Sequence, residues 1–540
     1  MNILGKIVSS VSNKNHWGVI FFFVFCAFML ILSIRGLAGN PTPEQLNTLA
    51  WRDNGPFELS PERGRFTLLY ALVENHSFSF GPDLARFATP DVGYLSGKYE
   101  SLFAPGLSFL VIPGYVVGKM FGIAQVGTVA VISLFALLNA WLIRSIAIRL
   151  GAHPIAATIS AFAFLFASPA FTYAVTLYQH HVSTFLILLS LYLLIRFTNF
   201  WSLAAVWLLC AFSISVDYPN AFMMLPIGVA ALARTILVKR ENERVSISSP
   251  VIRIFAFVGV ILPLIFFFWF NAGAYGNPLR LAGSLPQVQD VAENGKPVFK
   301  TQDKATLKQL QTHTTDSGQN IITFFKTRNL INGFYTHFIS PDRGMVLYTP
   351  VMLFGFLGFF FLFKRQKSYF PLLTAILGFN ILLYSMWGDP WGGWAFGSRY
   401  LIPSYAVLSI LMAMVLTKFK NYNVFLLVFA IVFSYSLAVN TLGAITSSKN
   451  PPQGEAKALE QITKRKEEYT YLRNVEMLDG GNLNAFVFTS YARNYVSAWS
   501  YYSYLSAMII IFGLFLMVYF KSVVQEESLS SKGGIYAKRS

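Results

Sequence analysis

Apolar residues along this chain gather into long runs separated by short polar loops. A bilayer core of ~30 Å needs ~20 mostly apolar residues per helix. Runs approaching that length lie at 17–37, 126–146, 156–175, 182–195, 203–216, 221–238 and 252–270. A second group lies at 346–363, 369–387, 401–416, 424–442 and 504–520. The pattern predicts an all-α polytopic membrane protein with about twelve transmembrane helices. Lys6 and Lys14 precede the first run, which carries no small-residue cleavage site, so it is expected to be an uncleaved span with a cytoplasmic N-terminus.

Loop charge tests that count, because Lys and Arg accumulate on the cytoplasmic side. Basic clusters fall in alternate loops: Arg144 and Arg149, Arg196, Lys239 with Arg240 and Arg244, Lys364 with Arg365 and Lys367, Lys418 with Lys420, and Lys521 with Lys532, Lys538 and Arg539. All lie inside if the N-terminus is inside. The stretch 104–117 would break this parity if it crossed. It is short and interrupted by Pro105, Gly106, Pro113 and Gly114, so it is expected to be a juxtamembrane or re-entrant helix on the outer face.

The resulting division is a cytoplasmic N-terminus (1–16), a first span (17–37), an outer loop with juxtamembrane helices (38–123) and a block of spans (124–270). A long outer loop (271–345), spans with a Trp/Gly-rich outer turn (346–442), an outer loop with a charged helix at 455–473 (443–503), a last span (504–520) and a basic tail (521–540) complete it. Within 271–345, the polar stretch 296–319 is expected to be flexible or partly helical. Long loops in a bundle usually carry function. No internal repeat of the kind that marks many transporters is present.

Composition narrows the class. Of 540 residues, 54% are apolar and only 12% charged, which excludes an ordinary soluble enzyme. The 42 Lys and Arg against 25 Asp and Glu give +17, which by itself suggests an anionic polymer. Its placement in short inward loops makes it a topology signal, so no nucleic-acid partner is expected. Cys26 and Cys210 lie in apolar runs, offering neither a disulfide framework nor a thiolate metal site. No HExxH, CxxC, Walker loop, Rossmann glycine pattern or GxSxG occurs.

With this topology Glu62, Asp91, His180, His181, Asp217, Asn271, Asp342, Arg343, Asp389 and Arg399 all sit at or near the outer face. Ionisable residues at a membrane boundary are costly, and so many on one side suggest a single outward cavity. Each has a plainer reading. Glu62 can serve as an N-terminal helix charge after Ser60 and Pro61, Asp91 as a turn aspartate, the histidines as wet interfacial groups, Asp217 as a helix cap, and Asp342 with Arg343 as a local ion pair. The segment from Trp387 to Tyr400 is the densest signal. An aromatic belt explains Trp391 and Trp394 but not a Gly-rich turn ending in Arg399, where rings suit a sugar face and Arg suits a phosphate.

At these residues the sequence resembles a fold-C (GT-C) polytopic membrane glycosyltransferase, similar to the protein O-mannosyltransferase and aminoarabinose transferase group. Five passages carry the resemblance, and they span most of the chain. They are Glu62-Arg63-Gly64-Arg65-Phe66 through Ala71-Leu72-Val73-Glu74; Gly97-Lys98-Tyr99-Glu100-Ser101-Leu102-Phe103-Ala104-Pro105-Gly106; Leu177-Tyr178-Gln179-His180-His181; Ser340-Pro341-Asp342-Arg343-Gly344; and Trp391 to Tyr400. The resemblance implies an outward site where a polyprenyl-phosphate sugar gives its glycosyl group to an acceptor, with an acid of the first loop as base. Glu62 stands at the first acid of the family's Asp-Glu pattern, whereas Arg63 replaces the second, so the base is Glu62 or Asp91. Relatives often carry Lys before the Ala-Pro-Gly turn, where this chain has Phe103; Lys98, Arg343 and Arg399 are then the phosphate ligands. His180, His181, Asp217, Asp389, Trp391 and Trp394 are the expected substrate-binding residues.

The expected function is transfer of a hexosyl or pentosyl group from a lipid-phosphate sugar to a lipid, glycan or protein acceptor, outside the cytoplasmic membrane. No metal ligand set is assigned, although some relatives use a divalent cation on loop carboxylates, a role open to Glu62, Asp91 and Asp389. The rival is a transporter or flippase of a lipid-linked glycan, and a third reading is a scaffolding membrane protein without activity. A transporter is expected also to carry polar residues on an inward path.

Overall fold

Each predicted apolar run contains helix, most of them along nearly their whole length, in the computed structural model of the chain, which describes residues 14–235, 237–241, 244–248, 251–299 and 326–536. The N-terminal half comprises α1 (Lys14–Ser33), α2 (Ser60–Glu74), α3 (Pro82–Ala88), α4 (Gly106–Leu110), α5 (Ile112–Met120), α6 (Ala124–Arg149), α7 (Pro154–Phe166) and α8 (Ala170–Ala174). There follow α9 (His180–Arg196), α10 (Phe200–Val216), α11 (Leu225–Thr235) and α12 (Ile261–Tyr275). The C-terminal half adds α13 (Leu330–Phe338), α14 (Leu353–Arg365), α15 (Phe370–Ser385), α16 (Ile402–Lys418), α17 (Asn423–Ile445), α18 (Gln453–Thr463), α19 (Leu472–Asp479) and α20 (Ala498–Tyr536). Among the described residues five helical stretches are long and apolar enough to cross a membrane unaided. The other apolar helices are shorter, and several are extended by neighbouring turns across a proline or glycine, as α7 is by α8.

α16 is the centre of the bundle. Every residue from Ile402 to Leu416 is buried, because α6, α7, α9, α14 and α15 surround it. A helix apolar on all sides can be stable only in that position. Gly355 and Gly358 let α14 approach it so closely that a Cβ on either would lie 2.5 or 2.4 Å from a Leu408 or Leu411 carbonyl oxygen. The predicted juxtamembrane stretch 104–117 forms α4 and α5, the latter packed on α6 through Gly114, Gly118 and Gly127. A Cβ on Gly127 would sit 2.2 Å from the Gly114 oxygen, the small-residue contact expected where helices pack without a hydrophobic driving force.

Three expectations require correction. The fold is not all-α: β1 (Val92–Leu95), β2 (Lys98–Ser101), β5 (Gln287–Val291) and β6 (Pro297–Phe299) form an antiparallel sheet in the order β2-β1-β5-β6. Val92 pairs with both Ser101 and Val288, so the sheet joins the first and second outer segments. The polar alternation is short, and the Tyr94 and Tyr99 rings, 5.1 Å apart, supply the cross-strand contact. A second hairpin, β3 (Leu237–Glu241) with β4 (Arg244–Ser248), follows α11 where the run 221–238 had been expected to remain helical. The charged helix expected at 455–473 is two helices, α18 and α19. Lys464 takes a left-handed conformation (φ 57°) after Thr463, and the chain then turns back so that Glu467 N–H donates to Glu460 Oε1 (3.1 Å). Most of 296–319 lies outside the described residues.

The glycine contact between α5 and α6 carries a testable consequence. Gly127→Ala should destabilise the protein by about 1–3 kcal/mol, whereas Gly378→Ala in α15, where a Cβ meets no atom within 4 Å, should not destabilise it. Thermal unfolding in detergent measures both, and equal midpoints would remove the argument.

Candidate active site

The N-terminal end of α16 meets the start of α2, the loop leading into α9 and the end of α10. Two guanidinium groups lie against one aromatic ring there. Arg399 is 4.9 Å and Arg65 5.8 Å from the Tyr178 ring centroid. Arg65 also sits 4.3 Å over Phe103, whose π face seats the cation. Arg65 Nη1 donates to the Pro61 carbonyl (2.8 Å) and Arg399 Nη2 to the Gly392 carbonyl (2.7 Å). Arg65 Nε, Arg399 Nε, Arg399 Nη1, the Tyr178 hydroxyl and His180 Nε2 make no hydrogen bond of normal geometry, and the Tyr178 and Tyr400 hydroxyls lie beside Arg399. His180 stacks on Tyr178 at 5.7 Å, and Tyr400 stacks on Tyr384 at 4.3 Å, walling the same space.

Carboxylates close the cluster. Asp91 Oδ2 accepts from Ser60 Oγ at 2.6 Å, and burial raises its pKa against the hydrogen bond from Ser60 and the fields of Arg65, Arg63 and Arg399. Arg63 donates to the Thr89 carbonyl (3.3 Å) and so fixes the loop that carries Asp91. Asp217 ends α10, accepts from Gln179 Nε2 at 3.0 Å, and faces Arg65 and Arg399.

Glu62 lies deeper. Its Oε2 accepts from the Leu59 N–H and its Oε1 from the Leu177 N–H, both at 3.3 Å, so both oxygens are committed to backbone. Burial and the adjacent Glu58 push its carboxyl up to about 7, with Arg35 opposing. Glu58 in turn holds Arg35 Nη1 (2.7 Å), Ser448 Oγ (2.8 Å) and Asn484 Nδ2 (2.9 Å). Arg35 Nη2 and Nε reach the Gly443 and Ala444 carbonyls at 2.9 and 3.2 Å. One ion pair thus ties the end of α1, the start of α2, the end of α17 and the third outer segment.

The Trp/Gly-rich turn is organised from within. Asp389 accepts from the Trp391 N–H (3.2 Å) and the Gly393 N–H (2.6 Å), which spaces the turn. Gly392 and Gly393 have φ of 72° and 61°, a backbone shape that other residues rarely adopt. Arg343, fully buried, directs its donors to the carbonyls of Trp391 (3.2 Å), Gly393 (2.8 Å), Asn450 (3.0 Å) and Asp342 (2.9 Å). Asp342 accepts from Ser340 and from the Gln453 N–H (3.2 Å) rather than pairing with the Arg343 side chain. Trp394 Nε1 donates to Glu455, and its ring meets Lys449 at 5.9 Å and Arg473 at 5.6 Å.

The structure therefore brings together Asp91, His180, Asp217 and Arg399 from the expected set. Glu62 lies just behind them, its field reaching Tyr178. It keeps others apart. Lys98 is exposed at the tip of the β1–β2 hairpin, opposite Leu95 and so roughly 13 Å along the strand from Asp91 by strand rise. His181 bonds the Ala170 carbonyl (2.7 Å) and Asn139, filling its capacity within the bundle. Among the described residues no three His, Cys, Asp or Glu side chains converge as a metal site requires; Glu62, Asp91 and Asp389 do not meet. Arg65, Tyr178 and the Arg35–Glu58 pair were not singled out from sequence. Arg65 was signalled only by being a second arginine two residues after Arg63, and nothing local marks the other three.

No family model and no curated protein matches the chain. Two crystal structures of ArnT from Cupriavidus metallidurans are similar to it, one in the apo state and one bound to undecaprenyl phosphate. They share 15% and 14% identity with it, cover 94% of this chain and 78% of theirs, and superpose with a TM-score of 0.43.

Two consequences follow from the buried acids. Arg35→Met leaves Glu58 buried without its cation and should cost about 3–5 kcal/mol, read as a lower unfolding midpoint; a midpoint equal to that of the unsubstituted protein would show that the pair does not tie the segments. Glu62 has a pKa of about 7 in the fold against an ordinary 4.5, so the native state binds the extra proton between those values. That contribution is complete below about 4.5 and stability falls as pH rises toward about 7. Glu62→Gln should flatten this slope in midpoints measured across the interval.

Proposed function

We propose that this chain transfers a glycosyl group from a polyprenyl-phosphate sugar to an acceptor hydroxyl, on the outer face of the cytoplasmic membrane. One observation carries the reading: two buried guanidinium groups, with donors left unmatched, share one tyrosine ring opposite an aspartate. A buried charge without partners is costly, and a site that leaves donors open is suited to an anion. A lipid phosphate brings that anion from within the bilayer.

In the reaction a bond forms between the acceptor oxygen and the anomeric carbon, and the bond from that carbon to the phosphate oxygen breaks. The electron pair leaves on the lipid phosphate, whose growing charge Arg399 and Arg65 match. The acceptor proton passes to Asp91. Its raised affinity for protons suits a general base, and its Oδ1 makes no hydrogen bond among the described residues. Of the two acids open to that role, Glu62 has both oxygens bound to backbone N–H groups and acts as a positioning residue for Leu177 and hence Tyr178. Tyr178, Tyr400 and His180 wall the sugar. Arg343 holds the Trp391–Gly393 turn from which the Gly392 carbonyl orients Arg399.

The test is turnover of a labelled polyprenyl-phosphate sugar by purified protein in detergent, where transport between compartments cannot be the readout. Asp91→Asn is expected to lower the rate by ~10²–10⁴ and Arg399→Ala by ~10²–10³. Glu62→Gln should retain more activity than Asp91→Asn. Full turnover by Asp91→Asn would reject the base, and absence of any turnover by unsubstituted protein across lipid-phosphate sugars would reject the transferase reading.

A further inference from the structure

A second cavity lies at the opposite end of the bundle, where the basic loops gather. It encloses about 690 Å³ between α1, the end of α6, the start of α7 and α20. That volume is within the ~300–1,000 Å³ range of ligand pockets. Its walls are Phe21, Phe22, Phe512, Phe515, Leu516 and Tyr519, and its polar rim is Arg144, His153, Thr158 and Glu527.

The rim charges are not equivalent. Glu527 accepts from His153 Nε2 at 3.3 Å and pairs with Lys420 at 3.5 Å, so those groups compensate one another. Arg144 faces the groove with only its Nε engaged, on Thr158 Oγ1 at 2.9 Å, and Thr158 is itself anchored to the Pro154 carbonyl. The two Nη groups make no hydrogen bond among the described residues. Arg144 lies five residues before the end of α6 at Arg149, about 7.5 Å inward by helix rise. From there its long side chain can reach toward the basic end of α6. A cation at the rim of an aromatic groove has the chemistry of a lipid seat, with tails along the rings and headgroup at the rim.

We propose that this groove binds one anionic phospholipid of the leaflet bordering the basic loops, its phosphate on Arg144 and its acyl chains along Phe22, Phe512 and Leu516. The lipid bridges α1 and α20, the first and last helices among the described residues. The assignment is independent of the transferase reading, because the groove shares no residue with the outer site.

The experiment uses full-length protein in detergent, titrated with phosphatidylglycerol or phosphatidylcholine and examined by native mass spectrometry. One phosphatidylglycerol should be retained at least ~10-fold more strongly than phosphatidylcholine. Arg144→Gln should abolish that preference, and Leu516→Trp, which fills the groove, should reduce retention of both lipids. Equal retention of the two lipids by unsubstituted protein, or a preference surviving both substitutions, overturns the proposal. Should either variant unfold, a phosphatidylglycerol carrying a photoreactive acyl chain decides on unsubstituted protein: labelling of the α1 and α20 segments supports the seat, and labelling confined to other helices rejects it.

Discussion

A guanidinium cannot give up its charge in a protein, so each arginine buried at this end of the bundle must be met by matched oxygen atoms or left to await them. Arg35 is met by Glu58 and two carbonyls, and through Glu58 the first and third long segments are fastened to α1 and α17. Arg343 is met by four carbonyls, and it fixes the Trp/Gly-rich turn. Arg399 has one carbonyl, two unmatched nitrogens and aromatic faces. The first two make a scaffold, and the third makes a site.

The position of Arg399 follows from the most constrained element. α16 is enclosed on all sides, so its ends cannot drift, and Arg399 opens the turn that enters it. The positive end of that helix adds to the cation, and both favour an anion at this point. Arg65 arrives from α2, whose entry is held by Glu62 and by the Arg35–Glu58 pair. Three distant stretches of chain thus set one small electrostatic field, in which Asp91 and Asp217 face the cations and Glu62 stands behind, fixed to backbone.

Much of this was legible in sequence. Apolar runs of near-bilayer length gave the helices because hydrophobic length is a local property, and the alternation of basic loops gave an orientation. Asp91, His180, Asp217 and Arg399 were legible as ionisable residues at span ends. Strand pairing between residues near 92 and 288 was not, since the partner of a short strand is set by tertiary contact. The break at Lys464 was hidden because charged residues at helical spacing continue across it. Likewise Glu62 and Asp91 have equivalent local motifs, and only the Leu177 N–H, far away in sequence, distinguishes them.

By itself, then, the sequence determined which stretches are long and apolar enough for the membrane, which ionisable residues stand at their ends, and which group of enzymes it resembles. Those follow from periodicity, loop charge and motif, which need no partner. Tertiary structure alone decided which cations are already neutralised. Arg343 and Arg399 both end polar turns before a buried helix, yet the first is filled by carbonyls from residues 391, 393 and 450 and the second is not. The reason is physical: the energy of a buried charge depends on oxygen atoms within ~3 Å, and chain order does not specify which distant carbonyls come that close.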